Sequence, residues 1–170
     1  MAIHTLRPSG DYSAPFNATT IVGAATGWQA VNESSPDEDT SYVTTTGIYF
    51  ATVLPNTMPT ATINSVKVVV RARHDGTAST INFALYDNTF SSAYTTELGS
   101  TTVTGSYVDY SVTDTLRADT GTAFTKTVLD DAVFVMLLNN NSIRVTQVYV
   151  EIDYVGGVLQ TQYYSLETKI

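Results

Sequence analysis

Four carboxylates crowd between positions 33 and 39, Glu33, Asp37, Glu38 and Asp39, and form the densest run of chemically active side chains in the sequence. Hard oxygen ligands at this spacing suit Ca²⁺, with Glu33, Asp37 and Asp39 as the candidate ligands, although the glycine-centred EF-hand pattern is missing. The same carboxylates could form a hydrolase acid/base pair, but no aromatic cleft accompanies them in the sequence. The plainer role is a solvated loop whose acids hydrogen-bond local backbone. Only His4 and His74 are present, so a Ser-His-Asp triad would depend on an imidazole in a His-Asp-Gly turn or near the N-terminus, both open to water. Trp28, the single tryptophan, has Gln29 and Asn32 beside it and could stack on a sugar ring, or sit in the core beside Val31. The tyrosines suit glycan or protein contacts and are equally ordinary on sheets. These residues yield no catalytic set and no cofactor site, and the chain is expected to be non-enzymatic.

Composition limits the partners. The formal net charge of −8 and a pI near 4.4 repel phosphate backbones and anionic membranes, so neither nucleic acid nor a membrane is expected. Cysteine is absent, which removes disulfides and thiolate metal sites. The N-terminus does not resemble a signal peptide, and the longest apolar stretch, Ala132–Leu138, is far short of the roughly 18 residues a membrane helix needs.

The elements that must carry these side chains read as strands. Thr and Tyr are abundant, helix signals are poor, and apolar residues alternate at Val66, Val68, Val70 and Ala72, at Ile81, Phe83 and Leu85, and at Val108, Tyr110 and Val112. The first two runs read as a hairpin or neighbouring strands across the turn that follows His74. Ala132–Leu138 is apolar on both faces and reads as a central strand. In Ile143–Tyr154 the apolar face switches after Val145 to Val148, Val150 and Ile152, which predicts a bulge near Thr146 and Gln147. Shorter strands are expected at 28–31, 40–44, 48–53, 94–103 and 123–128, with one weak helix over 127–132. The fold class is therefore all-β, an antiparallel two-sheet sandwich of jelly-roll type. Residues 16–155 would form it, with Phe134 and Met136 also pointing inward. Residues 1–15 and 156–170 read as extended arms. On the second arm Leu159, Tyr163, Tyr164, Leu166 and Ile170 are the candidate partner-binding residues, suited to adding a strand to a neighbour's sheet edge.

Three stretches carry a resemblance: Trp28 to Glu33 followed by Pro36 to Val43; Ile63 to Val68 leading to Arg71 and Arg73; and Val145 to Tyr154. Together they resemble β-sandwich proteins and domains found among phage and prophage virion genes, with Phe124-Thr125 where such proteins commonly carry Trp-Thr. The resemblance implies a jelly-roll-like structural module and carries over no catalytic residue. It implies a capsid decoration protein on the virion surface, assembled in the host cytoplasm. Its partners would be the major capsid protein or other virion proteins, and it would self-associate, with a trimer favoured. The alternative is a carbohydrate-binding or receptor-binding module of a phage fibre.

Overall fold

A computed structural model of the chain describes residues 2–12, 19–45, 50–55, 57–58, 60–77, 79–138 and 142–156. The elements are β1 (Ala2–Leu6), β2 (Gly10–Asp11), β3 (Thr19–Val22), α1 (Gly27–Val31), β4 (Tyr42–Thr45), β5 (Phe50–Val53), β6 (Thr62–His74), β7 (Ser79–Tyr86), β8 (Thr101–Val103), β9 (Val108–Asp114), α2 (Lys126–Asp130), β10 (Val133–Leu138) and β11 (Ile143–Val155). The first sheet runs β3-β4-β11-β6-β9, with β1 also paired to β11, and the second runs β2-β5-β10-β7-β8. All the strand pairings are antiparallel. The all-β sandwich expected from the alternation is the fold observed.

The core is the set of alternating residues that the two inner faces share. Val66, Val68 and Val70 of β6 and Val148, Val150 and Ile152 of β11 meet Ile81, Phe83 and Leu85 of β7 and Phe134 and Met136 of β10. The Phe83 and Phe134 rings lie 6.2 Å apart between the sheets. Burying each such side chain contributes about 1.5–3 kcal/mol, which makes this interdigitation the main force holding the sheets together. On β9 the inward register holds at Tyr110 and Val112, which pack on the core, and fails at Val108, which is exposed at the strand's start.

Several expectations are corrected. β6 and β7 are not sheet neighbours: they lie in opposite sheets and face each other across the core. Inward alternation reads the same for a partner beside a strand and for one across from it, so the sequence pattern could not separate the two. Residues 1–15, expected as an arm, instead supply β1 to the first sheet and β2 to the second. The segment 28–31 is helix α1, not strand. Its N-terminal Gly27 and Trp28 N–H groups are taken up by the Asp11 carboxylate of β2, at 3.2 and 2.7 Å, so a residue distant in sequence stabilises a turn too short to persist alone. Within 94–103 only 101–103 is a strand, and within 123–128 the chain turns into α2, which Thr125 caps through Val128 N–H at 3.3 Å.

The bulge is where the sequence placed it, with the β11–β6 register shifting between Val145 and Gln147. It has a use. Thr146 Oγ1 donates to Ser41 O at 3.1 Å and Gln147 Nε2 to Glu33 O at 2.6 Å, both from buried side chains. The extra residue thus turns two polar groups toward the loop at 32–41 and fastens both its ends to the sheet. Gly23 lets that loop approach closely: it has φ +74°, and a Cβ there would stand 2.0 Å from Thr40 O.

Candidate functional site

The acidic loop lies over the outer face of the first sheet, where β6 and β11 present arginines. Asp39 accepts from Arg73 at 2.9 Å, Arg144 at 2.8 Å and the Tyr107 hydroxyl at 3.0 Å. Asp75 pairs with the same two arginines, and Arg71 spans Glu38 and Asp109 at 2.6 and 3.0 Å. The hydrogen bond from Arg73 is the main cause that holds the Asp39 carboxyl below its usual range, against its partial desolvation. Glu33 and Asp37 turn the other way: Glu33 accepts from Asp37 N–H and Ser41 Oγ, and Asp37 from Ser41 N–H and Oγ. The three calcium candidates are thus divided between a loop-closing network and an arginine cluster. Among the described residues no group of three acidic or imidazole side chains is placed to hold a metal ion.

The histidines are also apart. His4 on β1 contacts Thr57 Oγ1 at 3.2 Å, and His74 ends β6 beside Gly105. Trp28 is half-buried on α1, which packs against β2, β3, β4 and β11. Leu159, Tyr163, Tyr164, Leu166 and Ile170 lie outside the described residues.

The outer face of the second sheet carries what the sequence did not single out. Alternation on the central pair sends Asn82, Ala84 and Tyr86 of β7 outward beside Leu137, Val135 and Val133 of β10, their partners in register. Ala84 lacks the side chain to fill its place, and above it lies a hollow of about 110 Å³ lined by Asn82, Ala84, Tyr86, Glu97, Val135 and Leu137. Glu97 bridges the two polar neighbours of Ala84, accepting from Tyr86 Oη on one oxygen and from Asn82 Nδ2 at 3.1 Å on the other. These two bonds, Tyr86's first, hold its carboxyl below the ordinary range although desolvation opposes them. Asn82 Oδ1 is buried beneath this edge and accepts no hydrogen bond from a described residue.

An aromatic rim continues the hollow toward β5. Val133, Val135 and Ala51 are buried on this outer face with Tyr12, Tyr86 and Phe90 packed on them, and the Tyr12 and Phe90 rings meet edge to face at 4.8 Å. Phe90 sits at φ +60°, a costly conformation for a bulky residue. The turn beneath enforces it. Asp87 accepts from the N–H and hydroxyl groups of both Thr89 and Ser91, between 2.6 and 3.0 Å, and its carbonyl takes Phe90 N–H at 3.1 Å.

Burial raises the Asp87 pKa, but the hydrogen bonds from Ser91 and Thr89 outweigh it, and the carboxyl falls from 3.8 to about 2. A depressed folded value gives stability that is complete above the unfolded pKa and lost as pH falls through the folded one. Thermal melts should therefore show about 1–2 kcal/mol of stability disappearing between pH 4 and pH 2, allowing for partial exposure. Asp87→Asn should be less stable at pH 6 and flatter across that window, and parallel wild-type and variant curves would contradict the assignment.

No family profile matches the chain, and no curated protein matches it. Among solved structures it is similar to a carbohydrate-binding module from Cellvibrio mixtus lichenase 5A in complex with cellotriose, at 9% identity and TM-score 0.51 over 92% of this chain and 100% of that one. It is also similar to the C-terminal carbohydrate-binding module of LamC, a marine laminarinase from Zobellia galactanivorans, at 10% identity and TM-score 0.46 over 89% and 98%. A third similar structure is the enzymatically active domain of tailspike protein 4 from bacteriophage CBA120, at 10% identity and TM-score 0.44 over 89% and 19%. At these identities the likeness is one of fold: the Cellvibrio module shares the two-sheet sandwich.

Proposed function

We propose that this chain is a non-catalytic glycan-binding module whose site is the hollow over Ala84. The observation that carries the reading is the pairing, around one hollow of the outer sheet face, of the half-buried Leu137 and an aromatic rim over buried Val133 and Val135 with a hydrogen-bonding edge of Asn82, Tyr86 and Glu97. Pyranose rings present the matching chemistry, apolar C–H faces ringed by hydroxyls. An open shallow face suits a sugar chain lying along β7 and β10 better than a small molecule that must be enclosed. From Tyr86 to Asn82 the strip runs five residues of strand, four rises or about 13 Å. The sandwich is also the fold of the Cellvibrio mixtus module in complex with cellotriose.

The shell-decoration reading rests on the virion resemblance and on residues 159–170, which lie outside the described residues, and makes no use of this face. A glycan array followed by calorimetry tests the glycan reading. Tyr86→Ala should weaken any sugar bound at least about fivefold, the loss of one ring contact and one hydrogen bond. Trp28→Ala is the discriminating control: loss there with none at Tyr86 would move the site to α1, and no bound glycan at millimolar concentration would remove the reading.

A further inference from the structure

The charge pattern around the hollow separates it from the rest of the surface. The described lysines and arginines are engaged elsewhere: Arg71, Arg73 and Arg144 with the acidic loop and its neighbours, Lys67 with Glu151, Arg117 with Asp119, Lys126 with Asp130, and Arg7 with Glu33 O and the Tyr149 ring. Glu97 is different. Its two partners, Tyr86 Oη and Asn82 Nδ2, are neutral, and among the described residues no cation pairs with it or lines the hollow. Those donors fix the exposed carboxylate in place at the edge of the hollow and leave its charge uncompensated. An ammonium group brings three donors and no acceptor, and brings the opposite charge. A ligand carboxylate or sulfate would instead meet Glu97 with like charge and find no donor pair to receive it, in a protein already at −8.

We propose, resting on the glycan-binding reading, that the hollow selects amino sugars, with the ligand's primary ammonium at the Glu97 carboxylate. Neutral sugars bind the same face more weakly, and uronic or sulfated glycans are rejected. The ring supplies the apolar contact with Val135 and Leu137, and the ammonium supplies the discrimination.

Calorimetry with glucosamine oligosaccharides, their N-acetylated counterparts and oligouronates, at pH 6 in low and high salt, tests this. The amine form should bind about three- to tenfold more tightly than the N-acetylated form at low ionic strength, as a partly exposed charge-assisted contact allows. That ratio should shrink in high salt, the uronates should give no heat, and Glu97→Gln should bring the ratio to about one. Equal affinity for amine and N-acetyl forms, or a ratio that survives Glu97→Gln, would overturn the proposal and leave the glycan reading in place. So would equal binding of trilysine, which has the charge and no ring. If none of the sugars bound, the glycan reading itself would fall and the amino-sugar proposal with it.

Discussion

Gly23→Ala is expected to lower the thermal midpoint by about 10 °C. Two costs add. At φ +74° an L-residue is strained, and the new Cβ would stand 2.0 Å from Thr40 O and 2.9 Å from the Cα of Ser41, backbone atoms that cannot swing aside. The dihedral alone costs about 1–2 kcal/mol, and relieving the overlap means prising β3 from the loop that Thr146 and Gln147 hold down, for a total of about 3 kcal/mol. For a domain of this size each kcal/mol moves the midpoint by about 2–4 °C. Gly76→Ala is the matched control: φ is +87° but nothing lies within 4 Å of the added atom, so only the dihedral cost applies. Calorimetric melts of the two variants should differ by several degrees. Equal midpoints would mean that the loop yields freely and that its attachment to the bulge matters little.

The second large effect falls on binding and leaves the fold intact. Ala84→Leu should abolish glycan binding, a loss of at least about twentyfold, while the melting temperature changes little. The three carbons that leucine adds extend from Ala84 toward the hollow of about 110 Å³. Burial of those carbons offsets the small cost of ordering them. A sugar ring would then meet a methyl surface where it had found a floor, and overlap of this kind costs about 1–3 kcal/mol or more. Titration of the variant with whichever glycan the wild type binds measures it. Undiminished affinity would place the site away from β7 and β10, whatever Tyr86→Ala shows.

What the sequence made legible was local. Alternation identified the faces of β6 and β7, an unbroken apolar run marked β10 as a central strand, and the face switch after Val145 located the bulge. What it concealed was a matter of neighbours. The acidic run looked like a metal loop because the cations that neutralise it, Arg73 and Arg144, lie 34 and 105 residues away from Asp39. Trp28 drew attention by its type, whereas Ala84, among the least conspicuous residues in the chain, makes the hollow by what it lacks. That becomes visible only when Val135 is placed beside it and Glu97 above. The one available signal was the outward apolar set of Val133, Val135 and Leu137: a central strand apolar on both faces asks what covers the second. The structure answers with three aromatic residues packed on Val133 and Val135 and leaves Leu137 half-buried at the edge of the hollow.

The pairing of β1 with β11 bears on how the chain assembles. Ala2 lies opposite Tyr154 and Leu6 opposite Val150, so the first of the described strands pairs with the last. On the ribosome, residues 2–6 stay without their partner until residues 150–154 have emerged, and β11 must also find β6, some 80 residues upstream, along a twelve-position ladder. Such long-range closures are slow, and each unpaired edge is open to neighbouring chains meanwhile. Refolding from denaturant should therefore be slow for a domain of this size, with yield falling as protein concentration rises. Expression at low temperature, or with a chaperone that shields strand edges, would raise the soluble fraction without any change to the native state.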